Sequence, residues 1–259
     1  MINFFRKTRV KLADDNKPVK YMRFAFGEIL LVVIGILIAL SIDNWNEERK
    51  ERKTEVQYLK RLMIDLTNDT SYYAGRIAEA KFAIKSLDKY IHETYETQEN
   101  IEEVKQLFGL LYLNTDHLTT QNTTYQELVS GGKLSVFRNE QLKMSIVDYY
   151  RVNKELGTHI KEFNLTSTDY LLESSRVVRN LLKLTYVKSN IFNDPKMFLH
   201  DEWDFINDPA SEKFQAVESM AFVYLFRNQE HINYFYKLKS LSTELSTKIN
   251  EELKKSRKL

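Results

Sequence analysis

The five histidines of this 259-residue chain are the side chains best suited to acid–base or metal chemistry, because the sequence contains no cysteine. Without thiols, disulfides and thiolate metal sites are excluded, so a metal would need imidazole and carboxylate ligands. Asp88 and His92 are four residues apart, as are Glu155 and His159, which puts each pair on one face of a helix. Such pairs are ordinarily surface pairs. The repeated Glu-x-x-His pattern that a di-iron bundle requires does not occur.

A second group of potential ligands surrounds a tryptophan near the last third of the chain, at His200, Asp201, Glu202, Trp203 and Asp204. Oxygen and nitrogen donors at this spacing can coordinate a metal ion, although acidic residues in solvated loops are far commoner. The tryptophan would either pack this segment against the protein or anchor a partner. An enzyme with a carboxylate–histidine site here or in a helical bundle is therefore an alternative function. We predict no cofactor.

Residues 24–42, FAFGEILLVVIGILIALSI, give the strongest hydropathy signal, and Glu28 is their only charged residue. A helix of this length spans about 28 Å at 1.5 Å per residue, close to the thickness of the hydrocarbon core. Tyr21 and Trp45 flank it where interfacial aromatic residues are expected. These features predict a transmembrane helix. A cleaved signal peptide is the rival interpretation, because residues 39–41, Ala-Leu-Ser, have small side chains at a suitable spacing.

The basic residues on either side of this span suggest its orientation. Seven Lys and Arg residues occur in residues 1–23 and six in residues 46–61. The positive-inside rule favours the side with more of them, so we predict a cytoplasmic N-terminus and an exported C-terminal domain. The leader would lie on the anionic leaflet as an amphipathic helix or remain a basic tail. The net charge of +2 does not indicate a nucleic-acid partner.

Two features of the span have a functional interpretation as well as a structural one. Glu28 is either a protonatable group or a carboxylate close enough to the headgroups to stay hydrated. Gly35 and Ala39 form a small-xxx-small pair that would allow a second helix to approach closely. A homo-oligomeric membrane component that acts through its span is a second alternative function.

The rest of the chain is predicted to be helical. Gly and Pro together number 10, whereas average usage would give roughly 31. An apolar stripe at 3–4 spacing runs from Leu59 towards Tyr95 and is more typical of a bundle core than of a coiled-coil seam. We therefore predict an all-α protein, in which one N-terminal transmembrane helix continues into a long antiparallel helical bundle. Its predicted parts are the leader 1–23, the span 24–45 and the bundle 46–259.

The sequence also predicts where the helices of the bundle begin and end. A short helix over 101–113 is followed by a loop and by a second short helix that ends at Gly131-Gly132, where a left-handed cap needs no Cβ. Asn139 is predicted to cap a long helix. Residues 188–208 break the periodicity and are predicted to be a connector. Asp208-Pro209 is predicted to start the last helix with an acid cap and Pro at the first position.

Two segments resemble a bacterial family of uncharacterised single-span membrane proteins. GEILLVVIGILIALSIDNWNEERKERK at 27–53, after the leader MINFFRK, resembles the N-terminal segment of that family. TTYQELVSGGKLSVFRNEQLKMSIVDYY at 123–150 resembles its second recurring segment. The resemblance implies one span, an α-helical extramembrane region, an inner-membrane location and no assigned activity. It singles out Glu28, Trp45, Asn46, Glu47, Tyr125, Leu128, Gly132 and Leu134.

These observations favour a membrane-anchored helical scaffold or sensor-like protein over an enzyme. Its predicted partners are the lipid bilayer and an unknown protein or ligand on the periplasmic side. A pocket with polar side chains in the bundle core would favour the sensor, and a featureless core would favour the scaffold.

Overall fold

The computed structural model describes residues 18–115, 117–178, 181 and 203–256. These residues form five α-helices: α1 (Pro18–Glu93), α2 (Ile101–Phe108), α3 (Thr123–Ser130), α4 (Glu140–Val177) and α5 (Glu212–Ser256). Short 3-10 helices occupy Lys133–Val136 and Asp204–Asn207. The described part of the chain contains no strand, so the prediction of an all-α protein is confirmed.

The chain divides into two compact units, residues 1–57 and 58–259. The first unit contains the apolar part of α1, which is long and apolar enough to cross a membrane. None of that apolar stretch is buried within the protein, and side chains such as Leu31, Leu37 and Ile42 are more than half exposed. A core helix of a soluble protein would be mostly buried. One such helix in the described residues is the pattern of a single-pass membrane protein.

Helices α4 and α5 form an antiparallel pair in the second unit. The Ser174 hydroxyl near the end of α4 donates a hydrogen bond to the Ala216 carbonyl near the start of α5 (2.9 Å). At the opposite end of the pair, the Lys248 ammonium donates to the hydroxyl of Ser145 (3.2 Å). The chain therefore runs in opposite directions in the two helices.

Residues 58–93 of α1 run parallel to α4, because the segment between them returns along α1. We call residues 109–122, of which Asp116 lies outside the described residues, the strap. Side chains of the strap at residues 112 and 114 contact Glu79, the carbonyl of His117 contacts Tyr72, and the amide of Gln121 contacts Asp69. Successive strap residues thus meet successively earlier residues of α1, and α4 starts at the same end as residue 58.

Three apolar clusters fill the second unit, and α1 and α5 contribute to each of them. They are centred on Tyr58–Leu66 with Leu245, on Tyr73 with Phe235, and on Leu87 with Phe214. The stripe predicted on α1 is confirmed as core, since Leu59, Leu62, Leu66 and Leu87 are fully buried.

Two predicted helix boundaries are confirmed. Gly132 has φ of 64°, the left-handed conformation that an L side chain rarely adopts, and it follows the end of α3. The side chain of Asn139 accepts a hydrogen bond from the amide of Leu142 (3.1 Å) and caps α4 as predicted.

The predicted start of the last helix is wrong. α5 begins at Glu212, and its cap is Ser211, whose hydroxyl accepts from the amide of Phe214 (3.2 Å). The carboxylate of Asp208 instead accepts from the amide of Ala210 (3.1 Å) in a turn that contains Pro209. Similarly, α2 ends at Phe108 rather than Leu113, because the following residues form the strap.

Candidate functional site

A chain of buried polar side chains lies beneath the strap, between α1 and α4. The carboxylate of Asp69, which is 1% exposed, accepts hydrogen bonds from the backbone amide of Gln121 (2.8 Å) and from the hydroxyl of Tyr149 (2.7 Å). The hydroxyls of Tyr149 and Tyr73 are 3.2 Å apart. Asn153 donates from Nδ2 to the Tyr73 hydroxyl (2.7 Å). This Asp69 chain therefore joins the strap to both parallel helices.

The electrostatics of the Asp69 chain favour neutral groups. Burial raises the pKa of Asp69 above its ordinary value, and the nearby carboxylate of Asp65 adds to the rise, although the bonds from Gln121 and Tyr149 act in the opposite sense. Burial raises the pKa of Tyr73 to about 12. It also raises the pKa of Tyr149. The carboxyl of Asp69 is therefore the group in this chain closest to titrating under ordinary conditions.

A second polar layer lies further along α1. The carboxylate of Glu79 forms an ion pair with Arg76 and accepts hydrogen bonds from the hydroxyl of Tyr112 (2.8 Å) and from the side-chain Nδ2 of Asn114 (2.7 Å). Two strap side chains thus converge on one acidic residue of α1. The strap is held at both layers by side chains rather than by a regular backbone ladder.

Arg227 of α5 completes this second layer from the other side of the bundle. It is 2% exposed, donates to the hydroxyl of Ser167 (3.3 Å), and stacks its guanidinium 4.4 Å from the ring centre of Tyr224. A cavity of about 20 Å³, enough for one water-sized molecule, lies between Arg227, His231, Arg76 and the residues around them. The middle part of the bundle core therefore contains buried polar side chains among its apolar ones.

A larger groove opens to the surface where the strap crosses α1. Its volume is about 580 Å³, and it is shallow and widely open to solvent. It is lined by Ser71, Tyr72, Gly75, Arg76, Thr115, His117 and Thr119. A Cβ placed on Gly75 would have no neighbour within 4 Å, so the floor of the groove is open. Arg76 lines this groove and also pairs with Glu79, which links the surface groove to the second polar layer.

The predicted residues of the second recurring segment pack the corner between α3 and α4. Leu128 is fully buried, and Leu134 packs against the same cluster. The ring of Tyr125 stacks on that of Tyr150 with centroids 4.1 Å apart. Together with the left-handed Gly132, these residues have a structural explanation in the turn that leads into α4.

The predicted residues of the first segment lie in the other unit. Trp45 is 63% exposed, and the guanidinium of Arg49 lies 5.9 Å from its ring centre. Asn46 and Glu47 are exposed. Glu28 is less exposed than its neighbours in the apolar stretch, and Gly35 has open space around its Cβ position.

The predicted metal ligands are not brought together in the part of the chain that the structure describes, which contains no group of three or more His, Asp or Glu suited to a metal. His200, Asp201 and Glu202 lie outside the described residues. Trp203 is buried in the cluster around Phe214. His92 lies 3.7 Å from Asp88 on the surface. His159 lies 3.6 Å from Glu162 rather than pairing with Glu155, which binds Arg151.

Comparison with protein families gives one match. Residues 28–170 match a family of unknown function, DUF6090. The matched range is more than half of the chain and includes α1 from Glu28, the strap and the Asp69 chain. The protein belongs to the DUF6090 family. Comparisons with curated proteins and with solved structures give no match. This family membership assigns no activity to the protein.

Sequence reasoning did not identify the polar residues of the core. Asp69, Asn153 and Arg227 each occupy a position three or four residues from buried apolar neighbours, on α1, α4 and α5 respectively. A polar residue at a core position of an amphipathic helix is the signal that would have marked them. Asp69, Asn153 and Arg227 have hydrogen-bond partners that are far away in sequence, so the pattern alone does not show these contacts.

Proposed function

We propose that this DUF6090 protein is a membrane-anchored, sensor-like helical protein that binds a protein or ligand at the strap groove. The apolar stretch of α1 would anchor it in the inner membrane, with the N-terminus in the cytoplasm and the bundle in the periplasm. The charge distribution across the span supports this orientation, with seven basic residues before it and six after it.

The observation that carries the proposal is the groove of about 580 Å³ above buried polar side chains of the core. A passive scaffold needs only a filled apolar interior, whereas this bundle buries Asp69, Asn153 and Arg227 in its middle part. Buried polar groups cost stability unless they are paired, and the strap supplies several of the partners. An occupant of the groove would touch the strap and α1 together and would therefore act on those partners.

A photoreactive side chain at Thr119, which is exposed and lines the groove, tests this proposal. Irradiation of intact cells should give a discrete adduct, detected as a shift on a gel or in the intact mass. Filling the groove with Gly75→Trp should abolish the adduct, because its Cβ points into open space. Ala78→Trp, on an exposed position of the same helix that does not line the groove, is the matched control and should leave the adduct unchanged. An adduct that survives Gly75→Trp would contradict binding at the groove.

A further inference from the structure

We propose that Asp69 is a proton-binding site that controls how tightly the strap docks, because the hydrogen-bond chain around it can run in either direction. The proposed role of Asp69 depends on its own hydrogen bonds and does not depend on what occupies the strap groove. It rests on five side chains that connect the strap to α1 and α4, namely Thr120, Asn153, Tyr73, Tyr149 and Asp69.

With Asp69 ionised, the direction of every bond is fixed by the single hydrogen on each hydroxyl. Tyr149 donates its hydrogen to Asp69 (2.7 Å), so it is Tyr73 that donates across the 3.2 Å contact to Tyr149. Tyr73 accepts from Nδ2 of Asn153 (2.7 Å), and Oδ1 of Asn153 accepts from the hydroxyl of Thr120 (2.8 Å). The donors therefore point from the strap towards the carboxylate.

With Asp69 protonated, the same atoms satisfy one another in the opposite direction. The carboxyl hydrogen is donated to Tyr149, whose hydroxyl then donates to Tyr73. A half-turn of the Asn153 side-chain amide places Oδ1 where Tyr73 can donate to it and Nδ2 where it donates to Thr120, since the two amide atoms have nearly the same shape. The Thr120 hydrogen is then free to point towards solvent, because this residue is only partly buried. A proton is accommodated without leaving a buried group unpaired.

The described groups that face Asp69 include one carboxylate, that of Asp65, which repels the ionised form, and are otherwise uncharged. On α1 they are Asp65, whose carboxylate raises the pKa of Asp69, and Tyr73. On α4 they are Tyr149 and Tyr150, and the charge of Asp69 raises the pKa of both hydroxyls. The strap presents the neutral Thr120 and Gln121 here, with its His117 exposed, and α5 packs this region with the neutral residues Phe235, Leu238 and Ser242.

Strap docking is therefore linked to proton uptake. When the strap is released, Asp69 is hydrated and its pKa returns towards the ordinary value, whereas burial raises the pKa in the docked state. A raised pKa means that the docked state binds more protons than the released state. Docking is accordingly tightest below the ordinary pKa of an aspartate and weakens as the pH rises through the raised value. Acid closes the strap, and a neutral medium loosens it.

Hydrogen exchange of the full-length protein in lipid nanodiscs tests the inference. The probe is the protection of residues 117–122, corrected for the intrinsic exchange rate, between about pH 4 and about pH 8, a range that starts near the ordinary aspartate pKa. Protection in the wild type should fall by up to about tenfold per pH unit above that pKa and level off above the raised value. Asp69→Asn should keep the acid level of protection at every pH. Asp88→Asn, which removes an exposed acid of α1, is the matched control and should behave as wild type.

Tyr149→Phe provides an independent variant. It keeps the ring but removes the donor that stabilises ionised Asp69 in the docked state, so the fall in protection should still begin near the ordinary pKa but should shift its levelling-off point to higher pH. Flat protection in the wild type, an unchanged slope in Asp69→Asn, or no shift in Tyr149→Phe would each overturn the inference. If Asp69→Asn does not fold, the shift in Tyr149→Phe decides the question. Failure of the groove to bind an occupant would leave all three measurements unaffected.

Discussion

At the scale of single residues, the middle of the bundle depends on polar side chains placed where apolar ones would be expected. Asp69, Asn153 and Arg227 are each at most 3% exposed. Each requires partners, because an unpaired buried polar group costs about 1–3 kcal/mol. The spacing of the apolar stripes could be predicted from the sequence. The partners could not, since the contact from Asp69 to Gln121 joins residues 52 positions apart.

Leu128 gives a prediction at this scale, because the family resemblance singles it out and the structure gives it a packing role. Leu128→Ala should lower the free energy of unfolding by about 2–5 kcal/mol, since its fully buried side chain would leave a cavity. Its neighbour Val129 is 49% exposed, and Val129→Ala should change stability by no more than about 0.5 kcal/mol. Urea unfolding followed by circular dichroism measures both. Equal effects of the two substitutions would show that Leu128 does not act through packing.

At the scale of secondary-structure elements, helix starts depend on which of several candidate caps the chain uses. The cap at Asn139 was predictable because a single capping residue precedes a strong apolar pattern. Asp208-Pro209 was an equally good local signal, yet Ser211 caps α5. The 3-10 helix Asp204–Asn207 packs Phe205 and Ile206 into the core, and its position determines where the following helix can begin. This tertiary requirement is not visible in the local sequence.

Ser211→Ala should destabilise the bundle by about 0.5–2 kcal/mol, because the amide of Phe214 would lose its acceptor. Ser240→Ala is the matched control, since Ser240 is exposed within α5, where alanine is the better helix former. Thermal unfolding of the two variants distinguishes a cap from a surface serine. A larger effect of Ser240→Ala than of Ser211→Ala would assign the cap to another residue.

At the scale of the whole molecule, the sequence predicted the helical class and the apolar stretch of α1. It did not predict that α1 and α4 are parallel, because the return path of the strap is determined by side-chain contacts to Glu79, Tyr72 and Asp69. Alternation of helices and short loops favours antiparallel neighbours. A chain that doubles back in extended form cannot be recognised from hydrophobic periodicity.

The proposed orientation predicts the accessibility of two single cysteines in this cysteine-free chain. Asn122 is exposed, and its side chain makes no capping bond, so Asn122→Cys should not disturb the fold. A membrane-impermeant maleimide should label Asn122→Cys in cells whose inner membrane is intact. Lys17→Cys, on the other side of the apolar stretch, should be labelled only after that membrane is permeabilised. The reverse pattern would place the bundle in the cytoplasm and contradict the sensor proposal in its present form.

The participation of α5 in all three apolar clusters has a consequence for biosynthesis. Because α5 contributes Phe214, Phe235 and Leu245 to different clusters, each cluster stays incomplete until α5 has left the ribosome. The apolar stretch of α1, by contrast, is made before α5 and can enter a bilayer while synthesis continues. A nascent chain would thus be tethered while its unfinished core is open to solvent. Premature termination before α5 would leave a product that proteases and chaperones recognise as unfolded.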